Sequence, residues 1–419
     1  MNPIFPLAAA PSATRQPLYT VLWIALTGYL LVLPVGGTVA FRNVFFAVTL
    51  VCFAVLQRKH WRRLDTLLWQ QWALYAVVIA LSLIYAINVP YSLGEMKAEL
   101  LYPLILFWLG LNIVRDETTY FRLAAILVGG NLLLVAYSLT ITALGQTTKD
   151  GLVGTLNAGV GTYSTYLITV MPLIALFAWR CWMNRHRVLS LALTALLLAG
   201  FISLYFTLNR QGILVLIVEI GIAVILTRMF RRSSLVRMWP LLAALLLTAA
   251  VFFTVSANRA PAPELSPEPR MDLVRQSVKS DVRWHLWLFT LQEVNKSPLT
   301  GGGFGQRVFK LRFPDFEPNS MLWHAHNMVL NKGVQMGIPG MLSFLLLFFS
   351  APWALRKGLG GDPACHQIAS VGIALALGVF LKNMTDDFFT RDCAYLYWII
   401  IGATLGSVRG MLANNKESV

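Results

Sequence analysis

Two histidines one residue apart, His324 and His326, stand with Asn327 at the start of a long apolar run. A neutral imidazole so placed can take a proton near physiological pH, which is general-base chemistry. Spacing alone leaves two other readings open: interfacial imidazoles without chemistry, or a metal pair, for which no third ligand has suitable spacing. Arginine supplies the other chemistry. Arg210 sits in the short turn Thr207-Leu208-Asn209-Arg210-Gln211, while Arg275, Lys279 and Arg283 recur every four residues and share one helix face. A planar guanidinium presents a fork of donors that suits phosphate oxygens. The plain alternatives are that Arg210 snorkels to lipid head groups and that the other three form a solvated or lipid-facing basic stripe. Asp386 and Asp387, near Arg391 and Asp392, can orient a base, bind a sugar or cap a helix. Glu219 lies within an apolar run, as a proton relay or as a protonated structural acid.

The elements that carry these residues are membrane helices. The chain has 419 residues, 57% hydrophobic and only 13% charged, against roughly a quarter charged in an average soluble domain. The sequence predicts an all-α integral membrane protein of about twelve transmembrane helices with one large loop that contains helix. The spans fall near 18–35, 41–57, 67–88, 100–114, 120–143, 161–180, 187–207, 211–227, 239–256, 327–354, 366–382 and 392–411. Each is long enough, or nearly so, to cross a hydrocarbon core of about 30 Å. Four scattered cysteines, Cys52, Cys181, Cys365 and Cys393, indicate neither a metal site nor a disulfide framework.

A net charge of +15 would suggest nucleic acid in a soluble chain. Here it reports orientation, and no nucleic-acid partner is expected. Basic clusters at 58–63, 180–187, 228–237 and 356–357 follow the even-numbered spans. The positive-inside rule makes that side cytoplasmic and puts both termini there. Residues 1–256 then carry spans one to nine, 257–326 form the large outer loop, and 327–419 carry spans ten to twelve and a short cytoplasmic tail. The loop opens on a proline-rich arm, continues as a helical pattern over Asp272 to Asn295 and breaks at Gly301-Gly302-Gly303-Phe304-Gly305. That glycine run is not a P-loop, because no Gly-Lys-Ser/Thr follows. Any energy the reaction uses must arrive in the substrate, and no cofactor is expected.

His326-Asn327, followed after nine residues by Gly337-Ile338-Pro339-Gly340, resembles the His-Asn-x9-Gly-x-x-Gly signature of O-antigen ligases. Arg210 matches that family's arginine before span eight. Arg283, with Pro298 and Gly301, Gly303 and Gly305, resembles its loop arginine and Pro-x-x-Gly-x-Gly-x-Gly run. The motifs concentrate in about 200–345, while the topology covers the whole chain.

The resemblance implies a glycosyltransferase of the bacterial inner membrane whose active site faces the periplasm. Such an enzyme moves O-antigen polysaccharide from undecaprenyl diphosphate to lipid A–core by an inverting, metal- and ATP-independent reaction. It implies His326 as general base, with Arg210 and Arg283 stabilising the diphosphate. Lys279, Arg275, His324, Asn327, Asp386 and Asp387 are the candidate substrate-binding residues, and membrane lipids are further partners. His324 is a departure that offers a second imidazole as base. Gly333, Gly337 and Gly340 are expected to let a neighbouring helix approach closely. Alternatives are an O-antigen polymerase, disfavoured by the short loop 144–160 that holds Lys149 but no arginine, a ligase that glycosylates protein, and a secondary transporter, for which no internal repeat is visible.

Overall fold

The computed structural model describes residues 16–58, 64–146, 156, 159–231, 243, 246–247, 250, 282–316 and 324–417. Side chains at 210, 228–231, 282 and 415–417 are outside that description. The described residues are helical, without a strand. In chain order the helices are α1 (Gln16–Val32), α2 (Val39–Gln57), α3 (Trp69–Ser82), α4 (Val89–Met96), α5 (Tyr102–Ile113), α6 (Glu117–Ala143), α7 (Val160–Met183), α8 (Arg187–Phe206), α9 (Arg210–Arg231), α10 (Val282–Lys296), α11 (Val308–Arg312), α12 (Met328–Leu355), α13 (Pro363–Asn383) and α14 (Arg391–Glu417). Eight helical stretches among them are long and apolar enough to cross a bilayer, and Gln16–Val32, Trp69–Tyr85 and Gln211–Thr227 are shorter apolar helices. The expected ninth span, 239–256, lies outside the described residues but for 243, 246–247 and 250. The protein is a multi-pass membrane protein.

Local chemistry sets the helix starts. Asn88 caps α4 through the Tyr91 N–H, with Pro90 in the first turn. Asp116 and Thr119 form a reciprocal capping box on α6. Asp362 caps α13, with Pro363 at its first position. The fourth span is longer than expected: α4 and α5 join through a π-turn at Lys97–Leu101 into one stretch, Val89–Ile113. Pro103, in the first turn of α5, has no N–H to donate there.

The tightest contact in the bundle is between α5 and α14. Gly402, Gly406 and Gly410 are spaced four apart, the small-residue pattern that lets backbones touch. A methyl at Gly402 would come within 2.1 Å of the Phe107 carbonyl oxygen, and one at Gly406 within 2.4 Å of that of Leu111. Above this seam an aromatic core of Trp72, Phe107, Phe348, Phe389, Tyr397 and Trp398 joins α3, α5, α12 and α14, with Phe348 and Tyr397 stacked at 5.0 Å.

The bundle has two chemically different ends. At one, Ser407 donates to the Asp116 carbonyl, Arg409 and Arg115 both pair with Asp65, and Arg180 pairs with Glu117. Arg122 lies over Trp23, midway along α1, and Leu31 lies against Gly130, so α1 runs parallel to α6 and both described ends of the chain lie at this end. At the other end the turns before α7, α9 and α14 and the loop 324–327 converge. Residues 282–316 pack there around a second small core of Leu286, Val308, Phe309, Ala325, Leu330 and Val334.

Candidate active site

Asn327 fixes the start of α12. Its side-chain oxygen accepts from the Val329 and Leu330 N–H groups, both at 3.0 Å, and its amide donates to the Met384 carbonyl at 2.8 Å. One residue thus caps the helix and ties it to the loop between α13 and α14. His326, just before the cap, has φ +48, in the left-handed region that costs an L-residue about 1–2 kcal/mol. Its backbone N–H donates to Nδ1 of His324 at 3.0 Å, and the two rings lie 4.1 Å apart.

His326 and Asp386 are the pair at the centre. Nδ1 of His326 is 3.2 Å from Oδ1 of Asp386, and the other carboxylate oxygen is 3.2 Å from Nζ of Lys382. The carboxylate can only accept, so it selects the Nδ1–H tautomer and leaves the lone pair on Nε2. Lys382 is fully buried, whereas the His326 side chain keeps 15% of its surface accessible. Burial works to raise the Asp386 carboxyl. The Lys382 ammonium, His326 through its hydrogen bond and charge, and the Arg283 guanidinium outweigh it, holding the group well below the usual carboxylate range. Arg283, on the first turn of α10, therefore acts electrostatically on this dyad.

His324 is different. Burial, followed by the charges of His326 and Arg283, pushes its imidazole down to about 3, with Asp386 opposing. It is a neutral, 1% exposed ring whose Nδ1 already accepts a backbone hydrogen bond. Asp387 is buried as well. Its carboxylate accepts from Asn331 at 2.8 Å, and its backbone carbonyl accepts from the Gln306 side chain at 2.8 Å. Burial pushes its carboxyl up, against the pull of Lys332 and the Asn331 bond. Of the two neighbouring acids, Asp386 faces the histidine and Asp387 holds the loop.

Arg210 is the first residue of α9, and its side chain lies outside the description. The next residue, Gln211, is joined to the loop bearing Asp386: the Thr385 hydroxyl donates to Gln211 Oε1 at 2.5 Å. Asn209 accepts from the Gly212 N–H at 3.2 Å and donates to Ser164 at 3.1 Å. The start of α9 is thereby fixed beside Thr385 and Asp386. Arg275 and Lys279 lie outside the described residues, as does most of the loop holding Lys149.

The two glycine motifs meet each other. α12 breaks at Gly337, with φ +66 and ψ −163, a region essentially reserved to glycine. Across the break, the Ile338 N–H donates to the Pro298 carbonyl at 2.7 Å. The freed Val334 and Gln335 carbonyls accept from the Gly302 and Gly303 N–H groups at 2.9 and 3.0 Å. A methyl at Gly301 would sit 2.2 Å from the Gln335 oxygen, and one at Gly337 2.5 Å from that of Pro298. The expectation that Gly333, Gly337 and Gly340 face a neighbouring helix is corrected accordingly. Only Gly333 does so, against Val294 of α10; Gly337 faces the Pro298 loop, and Gly340 faces its own helix at Met336 and Lys332. The reason is that the break turns α12 hydrogen-bonding groups outward, where an extended loop can satisfy them.

Several site residues escaped the sequence reading. Lys332 is an ionisable group inside an apolar run and Lys382 is the last residue of another, and an ionisable group so placed is the signal that could have found them. Lys332 reaches Glu99 at 3.4 Å and Gln335 at 3.2 Å, and lies 4.8 Å from the Phe304 ring centre. Glu95 and Glu99 pair with Arg391 and Lys332. Gln306, Asn331, Gln211 and Thr385 carry no signal in their types. Glu219 sits away from this cluster, its carboxyl packed flat on Gly378 of α13, with no hydrogen-bond partner among the described residues.

Residues 195–345, about a third of the chain, match the protein family described as O-antigen ligase, which supports the resemblance to the O-antigen ligase/polymerase superfamily. The matched stretch runs from within α8 to within α12. It includes Arg210, Arg283, both glycine motifs and His326, but not Lys382 or Asp386. No curated protein gives a significant match to the chain. The family match and the apolar helices together support an O-antigen ligase/polymerase-type membrane enzyme.

Proposed function

We propose that the protein transfers O-antigen polysaccharide from undecaprenyl diphosphate to a sugar hydroxyl of lipid A–core, at the periplasmic face of the bacterial inner membrane. The observation that carries this reading is the His326–Asp386 contact at 3.2 Å. A histidine whose Nδ1–H is engaged by a carboxylate offers Nε2 as a base and has a partner for the imidazolium that forms.

In the reaction the acceptor oxygen attacks the anomeric carbon as the bond from that carbon to the diphosphate oxygen breaks. The hydroxyl proton passes to Nε2 of His326. A single displacement from the face opposite the leaving group inverts the anomeric centre. Negative charge grows on the departing diphosphate, and fixed guanidinium donors beside a low-dielectric boundary stabilise it more than water does. Arg283 and Arg210 take that role, with Lys279 and Arg275 as helpers. Support for Arg210 comes from the Gln211–Thr385 bond, which brings the start of α9 to the Asp386 loop. His324 and Asn327 position the base, Asp386 orients it, and Asp387 secures the loop. The basic residues stacked or paired at the opposite end fit a cytoplasmic location for both termini.

The test offers purified enzyme a lipid-linked glycan donor with two acceptors, lipid A–core and a second lipid-linked glycan, and reads products by mass spectrometry. Glycan on lipid A–core, lost in His326→Ala and in Arg283→Ala variants that keep the wild-type melting transition, is the expected result. Elongated lipid-linked glycan instead makes the enzyme a polymerase. Full turnover in either variant removes that residue from the scheme.

A further inference from the structure

We propose that a groove between α1 and α6, at the end of the bundle opposite His326, binds the phosphodiester head group of an anionic glycerophospholipid. The groove has a volume of about 380 Å³ and is lined by Tyr19, Thr20, Trp23, Ile24, Thr27 and Arg122. Arg122 lies over the Trp23 ring, 5.1 Å from its centre. Three other arginines at this end are paired within the protein: Arg115 and Arg409 with Asp65, and Arg180 with Glu117. Arg122 makes no ion pair and no hydrogen bond among the described residues. Stacking on an indole face restrains a guanidinium without occupying its in-plane N–H donors, so the groove holds an oriented cation that lacks an acceptor.

The ligand must satisfy both the charge and the walls. A guanidinium fork calls for a phosphate or carboxylate. Trp23 and Ile24 make the adjoining wall apolar, and Ile24 is 63% exposed on the bundle surface, where acyl chains lie. An amphiphile with an anionic head fits this pairing; a free anion leaves the wall unused. The level is right as well. Arg187 lies 3.4 Å over Trp182, and Arg356 lies 3.5 Å over Trp353. Arg187 begins α8 and Arg356 follows α12, so both stacks sit at this same end, and their guanidiniums likewise have no acceptor among the described residues. Tryptophan gathers at head-group depth, and Trp182 and Trp353, each within two residues of its helix end, mark that level; Arg122, five residues into α6, reaches towards it by snorkelling. The Arg122 stack opens on the groove described above.

The experiment is native mass spectrometry of the full-length protein in detergent with added phosphatidylglycerol or phosphatidylcholine. One cationic residue at a membrane surface favours an anionic lipid by roughly fivefold. Phosphatidylglycerol adducts should exceed phosphatidylcholine adducts by about that factor, and Arg122→Gln should remove the preference while Arg122→Lys retains part of it. Ile24→Trp fills the groove with Arg122 intact and should also lose the adduct, which keeps the test open if Arg122→Gln does not fold. Equal adducts with the two lipids, an unchanged preference in Arg122→Gln or Ile24→Trp, or displacement of the lipid by millimolar inorganic phosphate overturns the proposal. Glycan transfer is not the readout, so the outcome is independent of the chemistry at His326.

Discussion

His324 accepts, through Nδ1, the backbone N–H of His326 at 3.0 Å, a bond that in the proposed function makes the two imidazoles a base and its support. The bond holds His326 at φ +48, where its ring meets Asp386. His324→Ala should therefore lower the transfer rate at saturating substrate by about 5–30-fold, the factor that 1–2 kcal/mol of lost backbone restraint represents. His324→Asn, whose side-chain oxygen can accept the same N–H, should restore much of it. With His326 as the proposed base, the acid limb of the pH–rate profile should stay where it is in both variants. An acid limb displaced by His324→Asn returns His324 to the list of bases.

Asp386 should matter through the histidine. Asp386→Asn is nearly isosteric, yet an amide can donate to Nδ1 and so favour the wrong tautomer. A loss in kcat of roughly 10²–10⁴-fold is expected, with little change in KM and a melting temperature lowered only modestly. Lys382→Met, which leaves the Asp386 carboxylate buried without its ammonium partner, should destabilise the fold by about 3–5 kcal/mol. Kinetics and thermal unfolding on the same preparations separate the two roles. Asp386→Asn with wild-type kcat would mean that the 3.2 Å contact has no part in turnover.

Much of this arrangement was legible because membrane helices announce themselves. The apolar runs, the position of the His-Asn motif at the head of one and the glycine pattern near 301–305 all follow from single residues or short spacings. Asp386 could be named, because an acid in a short loop between two apolar runs stands out. Its partner could not be chosen over Asp387, since two adjacent residues point in different directions only once the loop is folded. Lys382 looked like the end of a span, and its role depends on a carboxylate four residues on. The meeting of the two glycine motifs was invisible for a different reason. Each needs small residues for the other, across more than thirty positions of chain, and local periodicity carries no information about such a contact.

Acid should destabilise the protein through His324 before it does so through Asp386. The folded imidazole titrates near 3, below its ordinary 6.5, so the unfolded chain binds the extra proton between those values. Its contribution is complete above pH 6.5 and is lost as pH falls towards 3, with a slope of up to about 1.4 kcal/mol per pH unit. Asp386, held below its ordinary 3.8, keeps its contribution above that value and loses it only in stronger acid. Asp387 has the opposite sign: its raised carboxyl favours the folded state more at low pH and loses that contribution as pH rises through its folded value. The difference between wild type and His324→Asn isolates the first contribution. Melting temperature measured from pH 7 to pH 4 should fall more steeply for the wild type, and parallel curves would refute the assignment.

The break in α12 should be the most sensitive backbone position in the site. Gly337 adopts φ +66 and ψ −163, and a methyl there would lie 2.5 Å from the Pro298 oxygen. Gly337→Ala should cost about 1–3 kcal/mol for the backbone and a similar amount for the overlap. Relieving the overlap moves the Pro298 loop, and with it the Gly302 and Gly303 N–H groups that satisfy the Val334 and Gln335 carbonyls. Gly301→Ala attacks the same interface from the other side, 2.2 Å from the Gln335 oxygen. The two changes break one contact, so their effects should not add. The double variant should be less destabilised than the two single losses combined, by about 0.5 kcal/mol or more. Strict additivity in thermal unfolding would mean that the two glycines serve separate structures, and the joint between the motifs would then have to be abandoned.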